Sequence, residues 1–299
     1  MKHIRLPIYR HREDIAPTLV VSGIFIIQMV TFFFVKSLWG VAAVMLALLS
    51  ISAMPGTISH NHHHVPTFTR PWMNRIYEII LFMELGLPPF AWTLHHNLGH
   101  HKYYLDQSRD PANWQLPNGF VMSRIRYDIG GALRIFPEIW KIGRQYPKLF
   151  RRFKVWGVVS LATLGVFVVL DPVKALILFI LPMPVMFIGL LDNTYMQHSD
   201  LDMASDYTAS RNSTSWLYNF VSWNLGYHTA HHIRPNLHWS RLPQFHAEIA
   251  HRIPDGVKCQ SVLLSACSYR HSQAVAAPIH AIRPVSKQAA AWRPRRLHA

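Results

Sequence analysis

Three clusters of histidine carry the chemistry legible in this chain. They are His60-Asn61-His62-His63-His64, His95-His96-Asn97-Leu98-Gly99-His100-His101 and Asn224-Leu225-Gly226-Tyr227-His228-Thr229-Ala230-His231-His232. Imidazole is a common ligand for iron, zinc and copper, because the neutral ring offers a nitrogen lone pair. A helix through the third cluster puts His228 and His232 one turn apart on one face, with His231 beside them, so the three converge on a point. Asn224 falls a further turn back on that face, where its amide would orient a ligand or hold a metal-bound water. His60 and His64 repeat the four-residue spacing, with His62 and His63 pointing elsewhere. His96 and His100 repeat it again, His101 adds an adjacent donor, and His95 is read as a neighbour. Three convergent sets are enough for two metal ions. His198, in Gln197-His198-Ser199-Asp200, is either a further ligand or an ordinary hydrogen-bonded surface histidine.

The elements that must position these residues are apolar. Half of the 299 residues are hydrophobic, and they come in long runs, the pattern of a membrane protein. Spans are expected over about 17–35, 38–54, 155–170 and 173–191, close to the ~20 residues that cross a bilayer. Lys36-Ser37 and Asp171-Pro172 join them into two hairpins, and Pro182 with Pro184 predicts a kink or break in the last span. The stretch 76–93 is apolar but carries Glu78 and Glu84. It is therefore expected to be interfacial or re-entrant rather than spanning.

The fold class expected is thus all-α and integral to the membrane, with two transmembrane hairpins and one interfacial segment. A helical cap from 56–154 and 192–254 holds a histidine-rich dimetal site. Residues 1–254 form one unit, and 255–299 a basic, weakly ordered tail that is either dispensable or a tether to anionic lipid or a partner. Nearly all Lys and Arg fall on the side of the clusters, so the positive-inside rule puts that side in the cytosol.

Composition excludes several classes. The formal net charge is +15, but no nucleic-acid motif accompanies it, and a bilayer surface or an acidic protein is the expected partner. Cys259 and Cys267 cannot supply the four thiolates of an iron–sulfur centre, and no disulfide framework is expected. Any redox centre must be held by the 20 histidines.

Taken in order, His60-x-x-x-His64, His96-x-x-x-His100-His101 and His228-x-x-His231-His232 resemble the three histidine boxes of the integral-membrane fatty acid desaturase superfamily, which includes alkane and fatty acid hydroxylases. The resemblance runs from the first hairpin to about His246 and includes Trp239-Ser240-Arg241-Leu242-Pro243. It implies a mushroom-shaped helical protein whose cytosolic cap holds two irons, ligated almost wholly by histidine. His60, His64, His96, His100, His101, His228, His231 and His232 fall on box positions, and His198 matches an extra histidine of some members. His62 and His63 crowd the first box, so which of its four histidines ligate stays open.

Asp106, Asp110, Asp200, Asp202 and Asp206 lie near the boxes, either orienting ligand N–H groups or pairing with basic residues at the surface. Trp92, Tyr103, Trp114 and Trp223 are expected in an interfacial belt, the alternative being a lipid channel. The activity implied is dioxygen-dependent desaturation of a fatty acyl chain. Alternatives on the same site are hydroxylation and decarboxylation to a terminal alkene, with carotenoid or sterol oxygenation also open. A non-catalytic metal carrier is the rival from another class, although a carrier would place ionisable residues inside its spans. Electrons must come from an external carrier of ferredoxin, rubredoxin or cytochrome b5 type. Arg124, Arg126, Arg144, Arg151 and Arg152 are the expected dock. A bacterial inner membrane is the expected location.

Overall fold

A computed structural model describes residues 8–51 and 53–261. Three helical stretches are long and apolar enough to cross a membrane among these residues: Arg12–Phe34, Pro147–Leu170 and Pro172–His198. The pair Leu38–Leu49 and Met54–His64, bent by 58° at the break between them, would make a fourth. Together they describe a mostly helical membrane protein, with β-structure among the described residues confined to two short strands and two isolated bridges.

Helix α1 (Ile15–Phe34) ends where Val35 turns extended, and Ser37 caps α2 (Leu38–Leu49) by accepting from the Gly40 amide. The expected unbroken span over 38–54 is corrected here. The chain leaves the helix after Leu49 and restarts as α3 (Ala53–His64), which carries the first histidine cluster. Pro55 is the cause. It has no N–H for the helical ladder, and its ring excludes the carbonyl four residues back, at Ile51.

Helix α4 (Pro71–Leu85) starts with proline in its first turn and stops at Gly86, whose φ of 72° is left-handed. Both of its carboxylates turn inward: Glu78 meets Arg75 and His62, and Glu84 accepts from Gln28 of α1. Gln28 also donates to Leu178 O, so α1, α4 and the last span share one polar contact inside an apolar core. A π-helical turn, Thr93–His100, follows.

Helix α5 (Arg124–Gly143) is capped by Ser123 and packs along the last span. Helix α6 (Pro147–Leu170) turns at Asp171, which accepts from the Lys174 amide, into Pro172–Ala175. The irregularity expected near Pro182 is a second π-helical turn, Leu176–Ile180, after which α7 (Pro182–His198) continues past the expected end at 191. That extension delivers His198.

The rest of the chain closes over the site. Strand β1 (Asn212–Ser213) leads to α8 (Trp216–Val221), α9 (His228–Ile233) and α10 (Leu242–Ile249). Strand β2 (Lys258–Cys259) pairs in parallel with β1, so the first residues of the expected tail are packed. Cys259 is disulfide-bonded, a single crosslink and not a framework. The remainder of that tail, from 262 onward, and residues 1–7 lie outside the described residues. The segment before α1 is tied down, with Arg10 donating to Phe68 O at 3.1 Å.

Candidate metal centre

The fold gathers the predicted histidines into two buried sets. Ring nitrogens of His60, His64, His96, His101 and His231 all lie within 4.8 Å of one another, as do those of His100, His198 and His232. His228 Nε2 adjoins the second set, 2.8 Å from His198 Nε2 and 3.1 Å from His232 Nε2. Within the first, His231 Nε2 is 2.9 Å from His60 Nε2 and 3.0 Å from His101 Nε2.

This division corrects two expectations from spacing. His96 and His100 were expected to serve one point, and so were His228, His231 and His232. Instead His96 pairs with His101, at 3.1 Å, while His100 goes to the other set. The backbone explains the change. In an α-helix, residues five apart are about 140° apart around the axis. In a π-helix bonding runs i→i+5, so a residue five along returns to the same side. The third cluster, on an α-helix, does the same with one residue fewer: His228 and His232 share the second set and His231 joins the first. Each helix gives two histidines to one set and one to the other.

Hydrogen bonds fix the protons. His198 Nδ1 lies 2.9 Å from the Ala209 carbonyl, which can only accept. His100 Nδ1 lies 3.0 Å from both oxygens of Asp110. Each Nδ1 therefore carries a proton, and in the neutral rings Nε2 is a bare lone pair. Those lone pairs face each other at 3.3 Å in a buried setting. Two acceptors so placed repel unless a cation lies between them, and a divalent metal is the cation that imidazole nitrogen favours. Burial, reinforced by neighbouring imidazoles, holds His96, His101, His228 and His232 well below the ordinary imidazole value, and His231 at about 3. The rings are neutral and available to a metal at neutral pH. The donor set fits two ions.

The crowding of the first cluster resolves geometrically. The Thr67 amide donates to His62 Nδ1 and His62 Nε2 faces Glu78, so both nitrogens are engaged. His63 Nδ1 donates to Ser59 O at 2.7 Å, away from both sets. His95 is buried and belongs to neither.

Of the acidic candidates, Asp110 touches a set histidine, His100. Asp106 caps its own turn through Ser108, and Asp200 lies close enough to buried Arg211 to favour its charge. Asn224 is not on the helix face expected of it, because α9 begins at His228; its amide donates to Trp239 O. Trp92 and Trp114 are core residues, 2% and 1% exposed, rather than belt residues. Arg124, expected at a donor dock, is paired with Asp192.

Sequence spacing missed the packing partners. Trp92 stacks on His96 with ring centres 4.7 Å apart, and Tyr104 lies 4.2 Å from His232 while its hydroxyl donates to Asp206. Tyr104 follows His100 by four residues, a signal that was available. The Ala209 carbonyl had none.

Compared with known proteins, residues 37–262 match the family model described as fatty acid desaturase. No curated protein matches the chain.

Proposed function

This chain belongs to the fatty acid desaturase family, and on that premise we propose that it is a membrane oxidase that uses dioxygen and two irons to desaturate a fatty acyl chain. One observation carries the metal assignment: the facing lone pairs of His100 and His198, fixed from behind by Asp110 and the Ala209 carbonyl. Under it, His60, His64, His96, His101 and His231 hold one ion, and His100, His198, His228 and His232 the other.

Two irons held there would supply the dioxygen chemistry needed to break an unactivated alkyl C–H bond. The chain's own groups prepare that site. Asp110 and Ala209 O set the tautomers of two ligands, and burial keeps the other imidazoles neutral. Trp92 and Tyr104 pack against His96 and His232 and exclude water from their flanks. Overall, two hydrogens leave adjacent carbons, and dioxygen is reduced to water with two electrons and two protons from outside. An external carrier of ferredoxin, rubredoxin or cytochrome b5 type supplies the electrons. The basic residues on the histidine side support a cytosolic orientation in a bacterial inner membrane.

Hydroxylation and decarboxylation to a terminal alkene would use the same ligands. The deciding experiment is metal content of the detergent-purified protein beside the products of cells expressing it with fatty acids of several lengths. An internal double bond with about two irons per chain, both lost in His228→Ala, is the expected result. An alcohol or a volatile alkene would replace the reaction and keep the centre. Zinc, or no new product, would favour a non-catalytic carrier.

A further inference from the structure

Helix α5 (Arg124–Gly143) has three faces, and the site accounts for one of them. Tyr127, Ile135, Ile139 and Ile142 are buried against the protein. Ile125, Ile129, Leu133, Phe136 and Trp140 form a second stripe at helical spacing, and all are exposed, Ile125 at 77% and Leu133 at 75%. Five large apolar side chains in one exposed row mark a surface that something covers. On one flank of the row the helical rotation places Arg126 and Lys141, the latter with Glu138 3.5 Å away.

The neighbouring span indicates what covers it. Three residues after α5, α6 begins at Pro147, a connection of at most ~10 Å per three residues of extended chain. The first turns of α6 expose Lys148, Arg151, Arg152 and Lys154, and the apolar exterior of the span follows at once with Val155, Val158 and Leu161. That basic ring marks the level at which the span leaves the hydrocarbon, so the end of α5 lies at the same level. An apolar row with tryptophan and phenylalanine, flanked by Lys and Arg and joined by a short connection to the end of a span, is the pattern of a helix in the plane of a membrane interface.

We propose that α5 is an in-plane interfacial helix that seats on an anionic lipid leaflet through Ile125, Ile129, Leu133, Phe136 and Trp140, with Arg126 and Lys141 among the headgroups. This region was expected from sequence to belong to the cytosolic cap. The contact reaches the metal centre from behind. A Cβ built on Gly99, in the turn that carries His96 and His100, would stand 2.8 Å from Ile142 Cδ1. Leu191 of α7, which carries His198, packs as closely against Gly131, 3.2 Å from a Cβ built there. The leaflet therefore supports two ligand-bearing elements through one helix. The proposal rests on membrane insertion and is independent of the reaction catalysed.

The test is site-directed spin labelling of the full chain, with both native cysteines replaced by serine, in vesicles of phosphatidylcholine with phosphatidylglycerol. Labels at Leu133→Cys and Phe136→Cys are expected to be relaxed by oxygen and shielded from a water-soluble nickel chelate, with the reverse at Lys141→Cys. Equal access of the chelate at all three positions would overturn the proposal, since the row would then face water or a soluble partner. Dipolar broadening between labels at Leu133 on two chains would also overturn it, in favour of a second copy. In R126Q/K141Q, the shielding gained by adding phosphatidylglycerol to phosphatidylcholine is expected to fall severalfold. An unchanged gain would remove the anionic headgroups from the proposal. None of these readouts depends on metal loading or turnover, so their failure is separable from failure of the oxidase assignment.

Discussion

Both carboxylate oxygens of Asp110 lie 3.0 Å from Nδ1 of His100, in a pair almost wholly sealed from water. One oxygen also accepts from the Ala112 amide at 2.8 Å, so the carboxylate is held in place by its own loop. An asparagine there would fit the space and could donate to Nδ1, moving the ring proton to Nε2. Asp110→Asn is thus expected to weaken one ion and spare the other, by about 10–100-fold in affinity. Iron per chain under chelator titration should fall in two separated steps. A titration unchanged from that of the unaltered protein would show that Asp110 does not set the ligand.

Gly99 sits where two tendencies conflict. Alanine is the better helix former by about 1 kcal/mol. A Cβ at this position, however, would come within 2.7 Å of Pro111 Cγ and 2.8 Å of Ile142 Cδ1. Overpacking costs about 1–3 kcal/mol, so packing should prevail. Gly99→Ala is expected to lower the thermal midpoint of the purified protein and to reduce metal retention at both sets, since His96 and His100 flank the glycine. A raised midpoint would mean that the turn relaxes freely.

Asp14 ties the start of α1 to the stretch beyond the third cluster. One of its oxygens accepts from Trp239 Nε1 at 2.8 Å and from His238 Nε2 at 3.0 Å. Asp14→Ala leaves two buried donors unmatched, at about 1–3 kcal/mol for each such group. Hydrogen exchange should rise over residues 234–241, with Asp14→Asn intermediate because it retains an acceptor. Exchange unchanged in both variants would show that the contact holds nothing.

Acid should unfold the metal-free protein through its buried imidazoles. His95 and His231 are each held at about 3 by burial, against about 6.5 in the unfolded chain. Between those values the unfolded state binds protons that the folded state does not, so stability falls as the pH drops from about 6.5 toward 3. Denaturation midpoints measured across that window should decline, and His95→Gln should flatten the decline without altering metal content. A profile that is flat below pH 6 would mean that these rings protonate in place.

The sequence made the ligands legible before it made their grouping legible. Residue type and spacing picked out eight histidines that the fold brings together, with His198 left open, and apolar runs placed the helices near their observed positions. The allocation of His100 and His231 was hidden, because helical-wheel reasoning assumes an α-helix and nothing in Thr93–His100 announces a π-helical one. Pro55 did announce the break after Leu49, but the apolar run on both sides outweighed it. Among similar aspartates in similar loops, Asp110 is the one whose carboxylate is seen to face His100. That distinction arises from how the loop 104–114 closes, and spacing along the chain does not encode it.

The second and third clusters are two spellings of one arrangement. His228-x-x-His231-His232 on an α-helix and His96-x-x-x-His100-His101 on a π-helix present their rings alike, the longer spelling absorbing its additional residue in the wider turn. The two are interchangeable in principle. Removing Leu98 should let the turn tighten to an α-helix with His96 and the old His101 four apart, and both metals should be retained. Adding a residue after Thr229 without widening α9 should instead scatter the third cluster. Tolerance to deletion at one box and intolerance to insertion at the other would follow from backbone phase alone.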